Sequence, residues 1–363
     1  VLTYSPTNIV NNKIVNYKND TYISQEKYIE SPEIMVKNND ILFVKTGSTL
    51  GKSALVRNLT EPATINPQLI VIRTIHVDSD YLAVYLLTDS IQKQVFQVKI
   101  GGAVPTLTET EIGKFVVKLP PLREQTAIGS LFRNLDDLLA SYKDNLANYQ
   151  SLKATMLAKM FPKAGQTVPE IRLDGFEGEW EIKKFKSIST KRGKSNSKGY
   201  DYPAYSVSNQ SGLIPQSEQF EGSRLENLEK TSYKIVEPNE FAYNPARINV
   251  GSIAFNDLDE TVIVSSLYVI FSLDKSINNN YALLFIKSPE FNKEVRRNTE
   301  GSVREYLFYE NFANIRIPIP PSLEEQQAIS AYFSNLDSLI IAHQEKITQL
   351  ETLKRKLLQD MFI

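Results

Sequence analysis

Leu119–Phe161 reads LPPLREQTAIGSLFRNLDDLLASYKDNLANYQSLKATMLAKMF, and Ile319–Phe362 reads IPPSLEEQQAISAYFSNLDSLIIAHQEKITQLETLKRKLLQDMF. The second stretch is the first written again. One residue inserted after the paired prolines, at Ser322, moves the offset from 200 to 201. From Arg123 to Phe161, 14 of 39 aligned positions are identical, where chance gives two or three. Shared residues include Glu124/Glu325, Gln125/Gln326, Ile128/Ile329, Phe132/Phe333, Asp136/Asp337 and Met160/Met361. A repeat this long is one structural unit used twice.

Pro120-Pro121 and Pro320-Pro321 fix a helix start, because proline fits a first turn and nothing further in. After Gly129 neither glycine nor proline appears until Pro162. Apolar residues recur at 128, 131/132, 135, 138/139, 142, 146, 149, 152, 156 and 160, and again from Ile329 through Phe333, Leu336, Ile340, Ile347, Leu350, Leu353 and Leu357. That spacing is a heptad seam. A helix of about 35 residues is about 50 Å long and cannot bury such a stripe against itself. The two copies are expected to pack on each other as an antiparallel coiled coil. The outer faces, with Lys143, Asp144, Lys153 and Gln344–Lys346, read as solvated surface or as a place for partner subunits.

Working upstream, the repeat weakens but persists. VKNNDILF from Val36 aligns with VEPNEFAY from Val236, and DYLAVYLL from Asp80 aligns with NYALLFIK from Asn280. Each copy is thus a variable domain followed by a helical spacer. The second variable domain opens with PEIRLDGFEGEWEIKKFKSIS from Pro169, for which the first copy has no counterpart. By the offset, roughly 30 residues of the first copy are expected to be missing ahead of Val1. Ile41–Lys45, Leu69–Arg73, Thr261–Ser265 and Leu267–Phe271 read as strands, and Tyr81–Val98 and Tyr281–Arg297 carry helical periodicity. The class is α+β, with a twisted, partly antiparallel sheet.

Basic and amide residues gather in the expected loops. Lys183–Lys198 holds seven Lys/Arg and no acid, Lys191, Arg192 and Lys194 among them, interleaved with Ser and Asn that can bond phosphates. Arg247 and Asn249 stand between two strands; arginine suits guanine and asparagine suits adenine in a major groove. Arg296, Arg297 and Arg304 surround the next loop. The matching loops of the first copy are Lys45–Lys52, with Lys45, Thr46, Ser48 and Lys52, and Lys99–Thr106. The copies differ most at these loops, which fits two readers of different sequences and also fits ordinary loop drift.

Composition narrows the chemistry. With 363 residues the chain holds two or three domains of about 100–200 residues each. It is 42% hydrophobic and 23% charged, as soluble globular proteins are, and no apolar run approaches the roughly 18 residues of a membrane span. Cysteine is absent, which excludes disulfides and thiol chemistry, and only His76 and His343 are present, so a zinc site or a Ser-His-Asp triad is not expected. A net charge of −1 decides nothing about nucleic acid, since a basic face can be balanced elsewhere. Gly47–Ser53 is one residue short of a phosphate-binding loop, and too little sequence follows it for the required helix. Tyr243-Asn-Pro-Ala only faintly resembles the Asn-Pro-Pro-Tyr motif of amino-methyltransferases.

Paired prolines, Glu-Gln-x-x-Ile, Phe-x-Asn-Leu-Asp and a long helix ending in Met-Phe, all twice per chain, resemble the specificity (S) subunit of type I restriction-modification systems. Leu173-Asp-Gly-Phe-Glu-Gly-Glu-Trp180 resembles it too. The resemblance implies two target-recognition domains, at residues 1–111 and 163–311, and two helical spacers, at 112–162 and 312–363. It implies a cytoplasmic, non-catalytic subunit that binds double-stranded DNA, two methyltransferase subunits and restriction subunits. S-adenosylmethionine, ATP and Mg would belong to those partners, and this chain would carry no cofactor or metal. The alternatives are the specificity region of a fused methyltransferase-nuclease and a coiled-coil protein scaffold.

Overall fold

The computed structural model describes residues 1–99, 105–209, 212–219, 230–298 and 306–362. The chain divides into two compact units: Val1–Leu146 with His343–Ile363, and Ala147–Ala342. Both are built from mixed sheet and helix.

In the first unit, Ile41–Val44 is the central strand, flanked antiparallel by Ser53–Leu55 and Leu69–Ile72. All four of its residues are buried, because each face of the strand serves a different core. Leu42 and Val44 join Tyr4 and Ile65 of a second sheet, in which Leu2–Tyr4 pairs parallel with Ala63–Ile65 and antiparallel with Thr21–Tyr22. Ile41 and Phe43 face the helical layer, with Tyr81, Tyr85, Ile91 and Phe132.

The second unit repeats this logic. Phe241–Tyr243 lies between Ile253–Phe255 and Val269–Leu273, and a fourth antiparallel strand, Ser189–Arg192, covers the outer edge of Val269–Leu273. Ala242 turns toward Val207, Val236 and Ile270. Phe241 and Tyr243 turn toward Trp180, Tyr281 and Phe333. The turn into the central strand recurs as well: Asn39 and Asn239 both take the left-handed conformation, at φ 72° and 68°. Asparagine tolerates that region where most side chains do not.

The sequence periodicity over 81–98 and 281–297 suggests one helix each, and the structure has two. Ser79–Tyr85 and Asp89–Lys99 are separated at Thr88, whose hydroxyl donates to Tyr85 O at 2.7 Å. Asn279–Ile286 and Pro289–Asn298 are separated at Ser288, whose Oγ accepts from Phe291 N at 3.3 Å, while Pro289 starts the new helix. The break arises because these residues offer the backbone a local partner.

Leu122–Lys159 and Leu323–Asp360 are single helices of 38 residues each. In the first unit Asp136 pairs with Lys354 and Lys143 with Glu351, over Leu135, Leu139 and Leu350. One helix ascends where the other descends, so the packing is antiparallel. In the second unit Lys153 pairs with Asp337. These residues are the repeat counterparts of Lys354 and Asp136, so one contact is made twice. The seam is narrower than the heptad reading suggests: Leu138 is 42% exposed, Leu152 38% and Leu353 45%. A straight helix turns every 3.6 residues and drifts off a strict 3.5-residue seam.

The repeated motifs anchor the helices to the domains. Gln125 Oε1 accepts from Asp78 N at 3.0 Å, and Gln326 Oε1 from Asn278 N at 2.9 Å. Asp78 and Asn278 in turn cap the domain helices through Tyr81 N and Tyr281 N, each at 3.0 Å. Gly129 lets the first long helix come close, since a Cβ there would sit 2.7 Å from Asp80 Cβ. The terminal Met-Phe supplies a ring. Phe362 lies 5.6 Å from both Tyr81 and Tyr85. Phe161 lies 5.6 Å from Tyr281 and 5.4 Å from Phe285.

Candidate nucleic-acid interface

The equivalent ends of the two central strands each carry a loop bound to a second loop. In the first unit Gly47 N donates to Pro105 O at 3.0 Å and Leu107 N to Lys45 O at 2.7 Å, while Thr46 and Thr106 form an isolated bridge. This gathers Lys45, Thr46, Ser48 and Thr106 at one end of the sheet. In the second unit Leu307 N donates to Pro245 O at 2.9 Å, and the buried Tyr243 hydroxyl donates to Leu307 O at 3.0 Å. Burial pushes the Tyr243 phenol well above its ordinary value, which keeps that donor protonated. Arg247 is exposed on a turn in which Ser252 N donates to Arg247 O at 3.1 Å. Buried Ile248 pins the turn, and Gly251, at φ 88°, closes it.

The basic candidates differ in what already holds them. Lys45 lies 3.5 Å from Glu109, with its side chain 25% exposed. Lys191 donates to Glu310 at 2.7 Å and lies over the Tyr309 ring. Arg192 donates to Ser272 Oγ at 3.0 Å and approaches Glu240 at 3.7 Å. Arg297 donates to Glu294 at 2.6 Å and lines a cavity of about 500 Å³ with Lys163, Lys184 and Arg316. Lys52, Lys194, Arg247 and Arg296 are exposed and have no carboxylate partner among the described residues. Asn249 is exposed beside Arg247. Lys99 ends its helix, and Arg304 lies outside the described residues, as does most of the loop between Lys99 and Thr106.

Two expectations need correction. The basic run 183–198 is largely not loop. Lys183 and Lys184 lie in the strand Glu181–Lys184, and Lys191 and Arg192 in the edge strand Ser189–Arg192, because their backbone groups pair with the distant strands Arg316–Ile319 and Val269–Leu273. Its Asn196 is buried and bonds Tyr200 O and Lys230 O, a structural role. Leu267 is not in a strand but in a turn, 76% exposed, with its N–H toward Ser265 Oγ. The strand Ser53–Leu55 that follows Lys52 rules out a phosphate-binding loop, which needs a helix there.

Sequence reasoning passed over Tyr306, Phe308 and Lys234. Tyr306 and Phe308 are 42% and 53% exposed, with rings only 9° from parallel at 5.9 Å, on either side of buried Leu307. The alternation aromatic–Leu–aromatic was the available signal; the first unit has Thr106 and Thr108 at the equivalent places. Lys234 donates to Tyr268 O at 2.7 Å, and burial, then nearby Lys191, lowers its ammonium pKa. Among the described residues no group of His, Asp and Glu is placed to hold a metal ion, and no helix is long and apolar enough to cross a membrane. His343 packs its ring 5.3 Å from Tyr142, and His76 occupies an exposed turn at φ 60°.

Comparison with known proteins agrees with the doubled architecture. The chain is 24% identical over 364 residues to the type I restriction enzyme MjaVIII specificity subunit of Methanocaldococcus jannaschii, covering 94% of this chain and 82% of that one. It is 22% identical to the putative type I restriction enzyme MjaX specificity subunit of the same organism, covering 93% and 80%. A solved structure of a type I restriction-modification S subunit from M. genitalium superposes with a TM-score of 0.55 at 13% identity, covering 92% and 85%, and so shares the fold. The sequence profile described as type I restriction modification DNA specificity domain matches residues 3–148 and 177–352, once on each copy of the repeat. With both copies matched over most of the chain, the protein belongs to the family of type I restriction-modification DNA specificity proteins.

Proposed function

We propose that each unit reads one half of a bipartite DNA site, that the paired long helices set the spacing between the halves, and that bond-making chemistry belongs to partner subunits. The observation that carries this reading is a contrast. The Asp136–Lys354 and Lys153–Asp337 contacts are the same contact, while the loops at equivalent strand ends present different groups. Lys45, Thr46, Ser48 and Thr106 face one way of recognising a base step; Arg247, Asn249, Tyr306 and Phe308 face another. Phosphate contacts from Lys52, Lys194 and Arg296 would supply affinity and its salt dependence, and Arg247 and Asn249 would supply discrimination.

Partner docking has its own support. Leu138/Leu339 and Leu152/Leu353 are identical pairs in the repeat, yet all four leucines are between 38% and 45% exposed. An apolar residue repeated on an exposed helix face suits two copies of one partner. We assign that face to two methyltransferase subunits, which would carry S-adenosylmethionine and act on adenine N6, with restriction subunits using ATP and Mg. Methylating a base inside a duplex requires flipping it out, and two readers gripping either side of the target would hold the DNA while that happens. Gel shift of the chain with purified methyltransferase subunit on mixed duplexes tests the reading: a sequence-selective shift is expected, and a uniform or absent shift contradicts it.

A further inference from the structure

Glu181–Lys184 and Arg316–Ile319 pair antiparallel as a two-stranded ribbon, with Lys184 directly opposite Arg316 and Ile182 opposite Pro318. Alternate residues of a strand share a face, so these four residues stand on one side of the ribbon. That side is one wall of the cavity of about 500 Å³ in the second unit. A second wall is the helix Pro289–Asn298, through Glu290, Glu294 and Arg297, whose spacing puts them on one helix face. The third is the loop 162–167, folded by Gln166 N donating to Lys163 O at 2.9 Å. Trp180 N donates to Thr167 O at 2.7 Å and ties this loop to the start of the ribbon. Buried Phe285 adds an aromatic surface.

The charges around the cavity do not cancel. Arg297 pairs with Glu294 at 2.6 Å, Lys293 with Glu290 at 2.6 Å, and Lys163 with Glu170 at 3.1 Å. The ribbon's own acid, Glu181, pairs with Lys183 at 3.0 Å on the opposite face. Lys184 and Arg316 are exposed and have no ion pair among the described residues. Like charges directly opposite each other on one face of an antiparallel pair repel and weaken it. The fold thus sets two uncompensated cations side by side on the wall of a cavity whose apolar surface is Ile182, Pro318 and Phe285.

We propose that this cavity binds a small organic phosphate monoester. Its phosphate lies between Lys184 and Arg316, and its organic body rests on Ile182, Pro318 and Phe285. A phosphate monoester carries a charge of about −1.5 to −2 at neutral pH and three strong acceptor oxygens, which matches two cations. A volume of this size holds a whole small molecule rather than a bare ion. Glu290 and Glu294 keep acceptor positions beyond those used by Lys293 and Arg297, and these suit hydroxyl or amino groups on the body. A DNA backbone matches less well, because each of its phosphates is a diester with a single charge.

The test is calorimetric titration of the whole chain with AMP, glucose 6-phosphate and phenyl phosphate, with inorganic phosphate as the reference. At least one ester should bind one-to-one and about tenfold or more tighter than inorganic phosphate. Lys184→Gln and Arg316→Gln should each weaken that binding by about tenfold or more, and Arg316→Lys by less. Neither glutamine variant should lower the melting temperature in phosphate-free buffer, since each removes one of two repelling charges. The proposal is overturned if none of the esters outbinds inorganic phosphate, or if binding is indifferent to both substitutions. A lower melting temperature for Lys184→Gln or Arg316→Gln also overturns it, since the cations would then hold the fold. So does a mixed-sequence duplex that displaces the ester and loses the same affinity in both variants, since the cations would then be backbone contacts.

Discussion

The helix contacts and the strand-end loops were built from the same duplicated sequence and now behave in opposite ways. Asp136 meets Lys354 and Lys153 meets Asp337, one ion pair in two places. Thr46 meets Thr106 in a bridge in one unit, while the matching loops of the other hold Arg247 out and stack Tyr306 on Phe308. Where geometry must be common to both halves, the residues are common. Where each half must recognise something of its own, they are not. The comparison also separates how things are held from how strongly. The repeated ion pairs are partly exposed and contribute little energy, whereas the repeated aromatic anchors, buried Phe161 and half-buried Phe362, contribute more.

The largest expected effect follows from those anchors. Phe161 is 1% exposed in its nest, so Phe161→Ala should cost about 3–5 kcal/mol in denaturant unfolding. Phe362→Ala should cost less, since Phe362 is only partly buried. Equal costs would erase the distinction between the nests. Next comes the buried charge: Arg172→Ala strands Glu325, 2% exposed, without a counter-charge and should cost about 3 kcal/mol or more, while Glu124→Ala should change stability by no more than about 0.5 kcal/mol.

On the recognition side, Arg247→Ala should cost about 1–3 kcal/mol on the cognate duplex and relax one position of the site, while Lys194→Ala should weaken all duplexes alike and reduce the salt slope by about 1. Binding titrations at several salt concentrations distinguish the two; a uniform loss for Arg247→Ala would make it a phosphate contact. The smallest effect belongs to the helix pair. Lys153→Ala should cost about 0–1 kcal/mol, as exposed ion pairs do, and a double mutant with Asp337→Ala measures the coupling.

Much of this was legible in the sequence. A 39-position repeat, two paired prolines and an uninterrupted apolar stripe give two long helices, and β-branched runs give the central strands. The role of Gln125 and Gln326 was not legible, because a glutamine looks the same whether it is solvated or accepts from a helix cap. Nor was the break at Thr88 and Ser288, where a single side-chain hydrogen bond outweighs periodicity. Lys191 and Arg192 read as free cations because their partners, Glu310 and Ser272, lie about 120 and 80 residues away in sequence, beyond any local pattern. Tyr306 and Phe308 escaped for a similar reason: exposed aromatics signal a surface only once burial is known.

Mapping methylated bases across a genome, before and after exchanging residues 163–311 for the corresponding domain of another family member, tests the two-reader account most directly. It predicts a bipartite methylated motif in which only one half changes and the other half keeps its sequence. A single contiguous motif, or simultaneous change of both halves, would contradict it.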